Sequence, residues 1–269
     1  MDLRRHLPIQ DHTGEIMTQL ATSGRYLYAV VPAPAAQAYA LKGLEGKPVY
    51  TITNGKVAAV VSDMPNDRIR PERRHLAAQQ AVLKGLMQAV PALLPMSFGI
   101  IAEGPKAVQE ILTRNHDTLA RQLQRVAGKV EMGLRVSLDV PNIFEYFVNT
   151  HPELRTARDR FLGPNRNPSQ NDKIELGRMF DRLLQENRET YADRVAEILS
   201  PCCAEIKRNK CRNESEVMSL ACLVGREAGD QAAFEAGVFA AANLFDNNFA
   251  FDYNGPWAPH NFVDLDLRL

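Results

Sequence analysis

No stretch of the 269-residue chain approaches the ~18 continuous apolar residues that a membrane-spanning helix needs. Nor is there a surplus of charge: Lys plus Arg number 32 and Asp plus Glu number 32, for a formal net charge of zero. Phosphate binding needs a concentration of positive charge, so nucleic acid is not expected as the main partner. Cysteine is scarce, at four residues. Cys202 and Cys203 are adjacent, and neither they nor Cys211 and Cys222 form a C-x₂-C pair or stand near a histidine in ligand spacing. Structural zinc is therefore not expected, and free thiols are. The phosphate-gripping G-x-x-x-x-G-K-[ST] and G-x-G-x-x-G patterns are missing, as is the G-x-S-x-G nucleophile elbow. His6, His12, His75, His116, His151 and His260 are scattered with no metal-binding pairing. No catalytic group, cofactor or metal is expected from these absences.

What remains is ordinary globular material, with 45% hydrophobic and 24% charged residues, enough for a real core. Residues 1–24 are polar, break any periodicity and lack the apolar block of a secretory signal. They read as a flexible arm on a cytoplasmic protein. Tyr26 to Val31 reads as a strand, and Ala35 to Leu41 as a short helix. Val49 to Thr53 and Val57 to Val61 form a hairpin across Asn54-Gly55, a pair that tolerates positive φ. A helix from Pro71 to Ala89 keeps Leu76, Leu83 and Leu86 on one side. Met96 to Ile101 is a strand, Gly104 to Ala127 one long helix, and Glu131 to Val140 an alternating strand.

A helical fragment follows at residues 143–148. The richest breaker cluster, Gly163 to Pro168, marks the expected domain boundary. Beyond it the order is helix (172–199), strands (204–209 and 217–224), helix (230–245) and strand (249–253). The whole reads as two α+β domains: residues 25–141, a helical linker 142–171, a smaller α-β-β-α-β unit at 172–254, and an extended tail 255–269.

Five features invite functional readings. Arg68, Arg70, Arg73 and Arg74 could hold an anion, and so could Arg155, Arg158, Arg160 and Arg166, but the nearby Asp67 and Glu72, and Glu153 and Asp159, favour a solvated face in both runs. Asp264 and Asp266 alternate with leucines and read as a docking tail. The helix 230–245 is apolar nearly all round, which favours burial inside the domain, with a partner surface as the alternative. Trp257, the single tryptophan, sits in Gly255-Pro256-Trp257-Ala258-Pro259. The favoured reading is a buried clamp, and the alternative an exposed anchor for a partner.

Several segments together resemble the gas-vesicle GvpF/GvpL family. Leu94-Pro95-Met96-Ser97-Phe98-Gly99 resembles its LPMxFG signature. Gly255-Pro256-Trp257-Ala258-Pro259-His260-Asn261-Phe262-Val263 resembles its C-terminal GPWPPYSFV signature. Tyr26 to Val31 with Val57 to Ser62 is similar to its YLYGIV … VAAVVS opening, and Leu220 to Val224 to its LNAAFLV strand. The order matches from Arg25 to Val263. This resemblance implies an N-terminal ferredoxin-like domain and a C-terminal unit of modified ferredoxin-like type. It implies an accessory protein of gas-vesicle formation, resident at the gas vesicle and in the cytoplasm, with no enzymatic activity. Its expected partner is the apolar shell protein GvpA, whose aggregation it would limit during nucleation, with other gas-vesicle accessory proteins as further partners. Pro95, Phe98, Gly99, Gly255, Pro256, Trp257 and Phe262 become the structural or partner-contact candidates. A small-molecule or enzymatic protein using the Arg68–Arg74 region is the competing reading.

Overall fold

A computed structural model describes residues 23–33, 38–163 and 167–264. Residues 1–22 of the expected arm, the first three residues of the helix at 35–41, the centre of the breaker cluster and the last five residues lie outside these. Tyr39–Lys42, which overlaps the end of that expected helix, is a strand (β2). The fold is α+β with two antiparallel sheets, and the described residues divide into two compact units. One contains the residues up to Ala127 together with Val263 and Asp264; the other is Gly128–Phe262.

The first sheet is ordered β2-β3-β4-β1-β5, with β6 also on β1. Strand β1 (Ser23–Pro32) lies between its neighbours, and Tyr26 to Val31 are buried on both faces. That burial on both sides explains a continuous apolar run without alternation. Strands β3 (Pro48–Asn54) and β4 (Val57–Pro65) form the expected hairpin, with Gly55 at φ +59°. The predicted strand 96–101 resolves into β5 (Leu94–Pro95) and β6 (Ile101–Ala102) around a loop. Gly99, at φ +88°, turns that loop where a continuous strand could not bend.

Three helices accompany this sheet: α1 (Arg73–Ala89), α2 (Gly104–Arg114) and α3 (His116–Val126). The single long helix expected over 104–127 breaks at Asn115, whose Nδ2 donates to the Ile111 carbonyl at 2.8 Å. An asparagine side chain that bonds the preceding turn competes with the helical ladder. In α1 the buried side runs through His75, Gln79, Val82, Leu83 and Leu86, leaving Leu76 exposed. The apolar pattern mislocates this face because two of its members are polar groups buried with hydrogen-bond partners.

The second sheet is ordered β10-β7-β9-β8. Its central strand β7 (Lys129–Leu138) was expected in the first domain. Alternation told which face of β7 is apolar, not which sheet it joins; its register, Met132 opposite Cys222 and Tyr253 opposite Leu134, places it in the second. The division thus falls at 127/128 instead of near 163–168. Met132, Leu134, Val136 and Leu138 enter one core with Val217, Leu220, Cys222 and Val224 of β9 (Glu216–Gly225). That core is closed by α4 (Ile143–Thr150), α5 (Pro152–Leu162), α6 (Gln170–Leu199) and α7 (Ala228–Ala242). A capping box of Ser169 and Asp172 starts α6. Strand β8 (Glu205–Asn209) forms one edge and β10 (Phe249–Trp257) the other. The tail expected to begin at 255 therefore begins inside β10.

Candidate interaction surface

Several polar groups that line the clefts of the described residues are engaged in holding the fold. A cleft of about 270 Å³ between α6 and the β8–β9 edge is lined by Arg188, Arg208, Lys210 and Cys211. The Arg188 guanidinium donates to the Asn213 carbonyl at 2.7 Å and the Glu216 carbonyl at 3.1 Å, and Arg208 pairs with Asp193. A cavity of about 200 Å³ contains His151, whose Nδ1 lies 2.9 Å from Thr150 Oγ1 and whose Nε2 lies 2.9 Å from Asn187 Nδ2. The four cysteines are free. Burial pushes the Cys202 thiol up to about 11, and contact with Cys222 together with burial pushes the Cys203 thiol up as well. Protonated thiols are poor nucleophiles and poor ligands. Among the described residues, no group of three or more His, Cys, Asp or Glu is placed to hold a metal ion. Arg68, Arg70, Arg73 and Arg74 are all exposed, Arg74 pairs with Glu72 at 2.9 Å, and they line neither of these cavities. No helix among the described residues is long and apolar enough to cross a membrane.

The first signature is a braced loop. Pro95 pairs with Ala29 of β1, and Met96 donates its N–H to the Tyr28 carbonyl at 2.9 Å. The Tyr26 hydroxyl donates to Gln79 Oε1 at 2.6 Å and accepts from the Gly99 N–H at 3.2 Å. Gln79 Nε2 donates to the Met96 carbonyl at 3.0 Å, and the half-buried Phe98 ring meets Tyr26 edge-on at 6.1 Å. Burial carries the Tyr26 phenol up to about 12, so it remains a hydroxyl at any ordinary pH. Pro95, Phe98 and Gly99 are thus held on a frame that α1 supplies through one glutamine. Gln79→Leu strips this frame of its bridge, leaving the buried Tyr26 hydroxyl without its acceptor and the Met96 carbonyl without the glutamine donor. It is expected to cost about 2–3 kcal/mol, read as a shift in the urea midpoint at constant slope.

At the C-terminal signature the structure overturns the expected clamp. Trp257 is 46% exposed and its Nε1 donates to Asn254 Oδ1 at 2.7 Å. It is not the clamp. Phe262 is fully buried, with Lys207 Nζ 5.8 Å from its ring centroid. One residue earlier, Asn261 gives both its backbone N–H (2.8 Å) and its Nδ2 (2.6 Å) to the Glu131 carboxylate. Glu131 is 7% exposed, and burial raises its pKa even against these two donors. Gly255, at φ +134°, lies against β7, where an added Cβ would stand 2.7 Å from Met132 Sδ and 3.0 Å from the Glu131 carbonyl oxygen. Pro256 tolerates its position because β10 is an edge strand, at the point where its register with β7 breaks. The Glu131–Asn261 clasp escapes sequence reasoning because 130 residues separate its partners.

The surface that stands out is on α7. This helix buries only Phe234, Val238 and Ala241, so the expected burial on all sides is incorrect. Its other side shows Ala232, Ala236, Phe239 and Ala240 to solvent, with Phe239 64% exposed and Leu244, just past the helix end, 48% exposed. Phe239 is the most exposed large apolar side chain among the described residues. A helix without polar periodicity signals that its solvent side is apolar; the sequence cannot say whether protein covers that side.

A family profile described as "Gas vesicle synthesis protein GvpL/GvpF" matches residues 24–264. The chain is 24% identical to gas vesicle protein F of Nostoc sp. over 246 residues, covering 91% of this chain and 99% of that one. It is 23% identical to gas vesicle protein L1 of Halobacterium salinarum, covering 96% and 97%. Its fold matches the crystal structure of the gas vesicle protein GvpF from Anabaena sp. PCC7120 with a TM-score of 0.77 at 23% identity, covering 91% of this chain and 99% of that one.

Proposed function

Because the chain belongs to the GvpL/GvpF family of gas vesicle synthesis proteins, we propose that it acts in gas-vesicle assembly by binding the shell protein GvpA and limiting its aggregation, as a minor component of the vesicle in the cytoplasm. The observation that carries this reading is the unpartnered apolar side of α7, with Phe239 largely in water. A small shell subunit with an apolar face meant for gas aggregates in water unless that face is covered. A protein that covers it needs apolar surface of its own and no reacting group. The arrangement around Tyr26 and Glu131 fits such a role, since Tyr26 is bonded to Gln79 and Gly99 and Glu131 to Asn261, and both serve the fold.

The test is turbidity. Purified GvpA from the same gas-vesicle set is diluted from denaturant with and without the full chain, and light scattering is followed. The expected result is a longer lag and lower plateau at stoichiometric ratios, with a complex on size exclusion. Unchanged aggregation with no complex would overturn the proposal.

A further inference from the structure

We propose that the exposed side of α7 is the docking surface for an amphipathic helix of a partner protein, apolar along one side and flanked by lysine or arginine. This rests on the assembly role proposed above and adds the chemistry of the segment that docks. The shape argues for a helix. Ala232, Ala236 and Ala240 recur every four residues and make a flat strip on the exposed side, beside the projecting Phe239 ring. Small residues let a second helix approach closely, while the ring offers a ridge for it to pack against. The 15 residues of α7 give a contact line of about 22 Å, enough for about four helical turns.

The charge argues for a basic flank. Residues 226–246 contain one cation, Arg226, and four anions, Glu227, Asp230, Glu235 and Asp246, a local balance of 1 − 4 = −3 in a chain whose formal net charge is zero. Glu235 stands one helical turn before Phe239, exposed, and has no ion-pair partner among the described residues. A charged rim beside an apolar strip selects its partner by sign. The same charge disfavours a second copy of this chain. An antiparallel pairing that seats each Phe239 on the other copy's Ala232 brings the two Glu235 side chains together at the two-fold axis, and like charges there repel. An anionic lipid surface is disfavoured for the same reason.

The experiment titrates the full chain into two fluorescein-labelled helical peptides of about 18 residues. Both carry the same leucine–alanine side, one flanked by lysines and the other by glutamates. The lysine peptide is expected to bind at low salt and the glutamate peptide at least about fivefold more weakly, with the difference shrinking as salt is raised. Phe239→Asp is expected to weaken the lysine peptide by about 30-fold or more, and Glu235→Lys, which takes the local balance from −3 to −1, to narrow the preference between the two peptides. Both residues are exposed, so thermal melts should match the wild type; Ala236→Glu, which blocks the strip without touching either residue, should also abolish binding. Equal binding of both peptides overturns the proposal. So does indifference to Phe239→Asp and Ala236→Glu, or a dimer that Phe239→Asp dissociates. The two readings fail separately. If the peptides behave as expected while GvpA does not bind, the shell-protein role falls and the helix-docking surface stands. If GvpA binds Phe239→Asp as tightly as wild type, the surface falls and the role stands.

Discussion

Replacing Phe262 by alanine should lower the unfolding free energy by about 3–5 kcal/mol, whereas Trp257→Ala should change it by less than about 1 kcal/mol. Size alone predicts the opposite order. Tryptophan is the larger ring and sits in the more conspicuous motif, but nearly half of it already lies in water. Its truncation removes one hydrogen bond to Asn254 and leaves no sealed cavity. Phe262 is fully buried, so truncating it opens a void that its neighbours can fill only in part. It also loosens the turn in which Asn261 clasps Glu131, and that buried carboxylate is costly to leave with fewer donors. Denaturant melts of the two variants side by side check the order; a Trp257→Ala variant as unstable as Phe262→Ala would restore the clamp reading.

The second large effect is expected at Gly255. Alanine there meets two separate obstacles. The backbone angle of +134° is one that residues with a Cβ rarely adopt, and the Cβ itself would press on the Glu131 carbonyl and Met132 Sδ of β7. The carbonyl belongs to the sheet and cannot swing aside as a side-chain end could. Gly255→Ala is expected to cost about 3 kcal/mol or more and to lower the melting temperature by roughly 10 °C. By contrast, Gly229→Ala, in the first turn of α7 where an added Cβ meets nothing within 4 Å, should be neutral or slightly stabilising. Differential scanning calorimetry of the pair separates local clash from a general intolerance of glycine replacement.

Much of the element order was legible because each signal was local. The Asn54-Gly55 hairpin and the alternation along β7 each depend on residues within a few positions of one another. The errors share a different cause. Asn115 breaks a helix that its apolar stripe would continue, since a side-chain bond to Ile111 outweighs periodicity. Gln79 and His75 are buried against their polarity, because a tyrosine, the Met96 carbonyl and the Arg70 carbonyl receive them. Strand β7 goes to the second sheet because its pairing partners lie about 85 and 120 residues downstream, beyond any window that periodicity can read. The candidate surface was half legible. The lack of a polar face on α7 was plain in the sequence, but whether protein or solvent faces Phe239 is a property of the packed fold. Likewise, the signature residues could be found by resemblance while their division into scaffold (Gly255, Phe262) and exposed ring (Trp257) could not.

The clasp between Glu131 and Asn261 has a further consequence. Glu131 lies three residues after the chain enters its second unit, and Asn261 one residue before it leaves. The two ends of that unit are therefore fastened together from within, as in an inserted domain. On the other side, Arg125 and Asp264, just outside those ends, lie 3.4 Å apart and both belong to the first unit. The first unit is thus discontinuous in the gene, and its last described residues are encoded after the whole of the second. A stop codon placed just after Phe262 leaves the second unit whole and truncates the first, so the phenotype of such a C-terminal deletion reports on the N-terminal half of the protein.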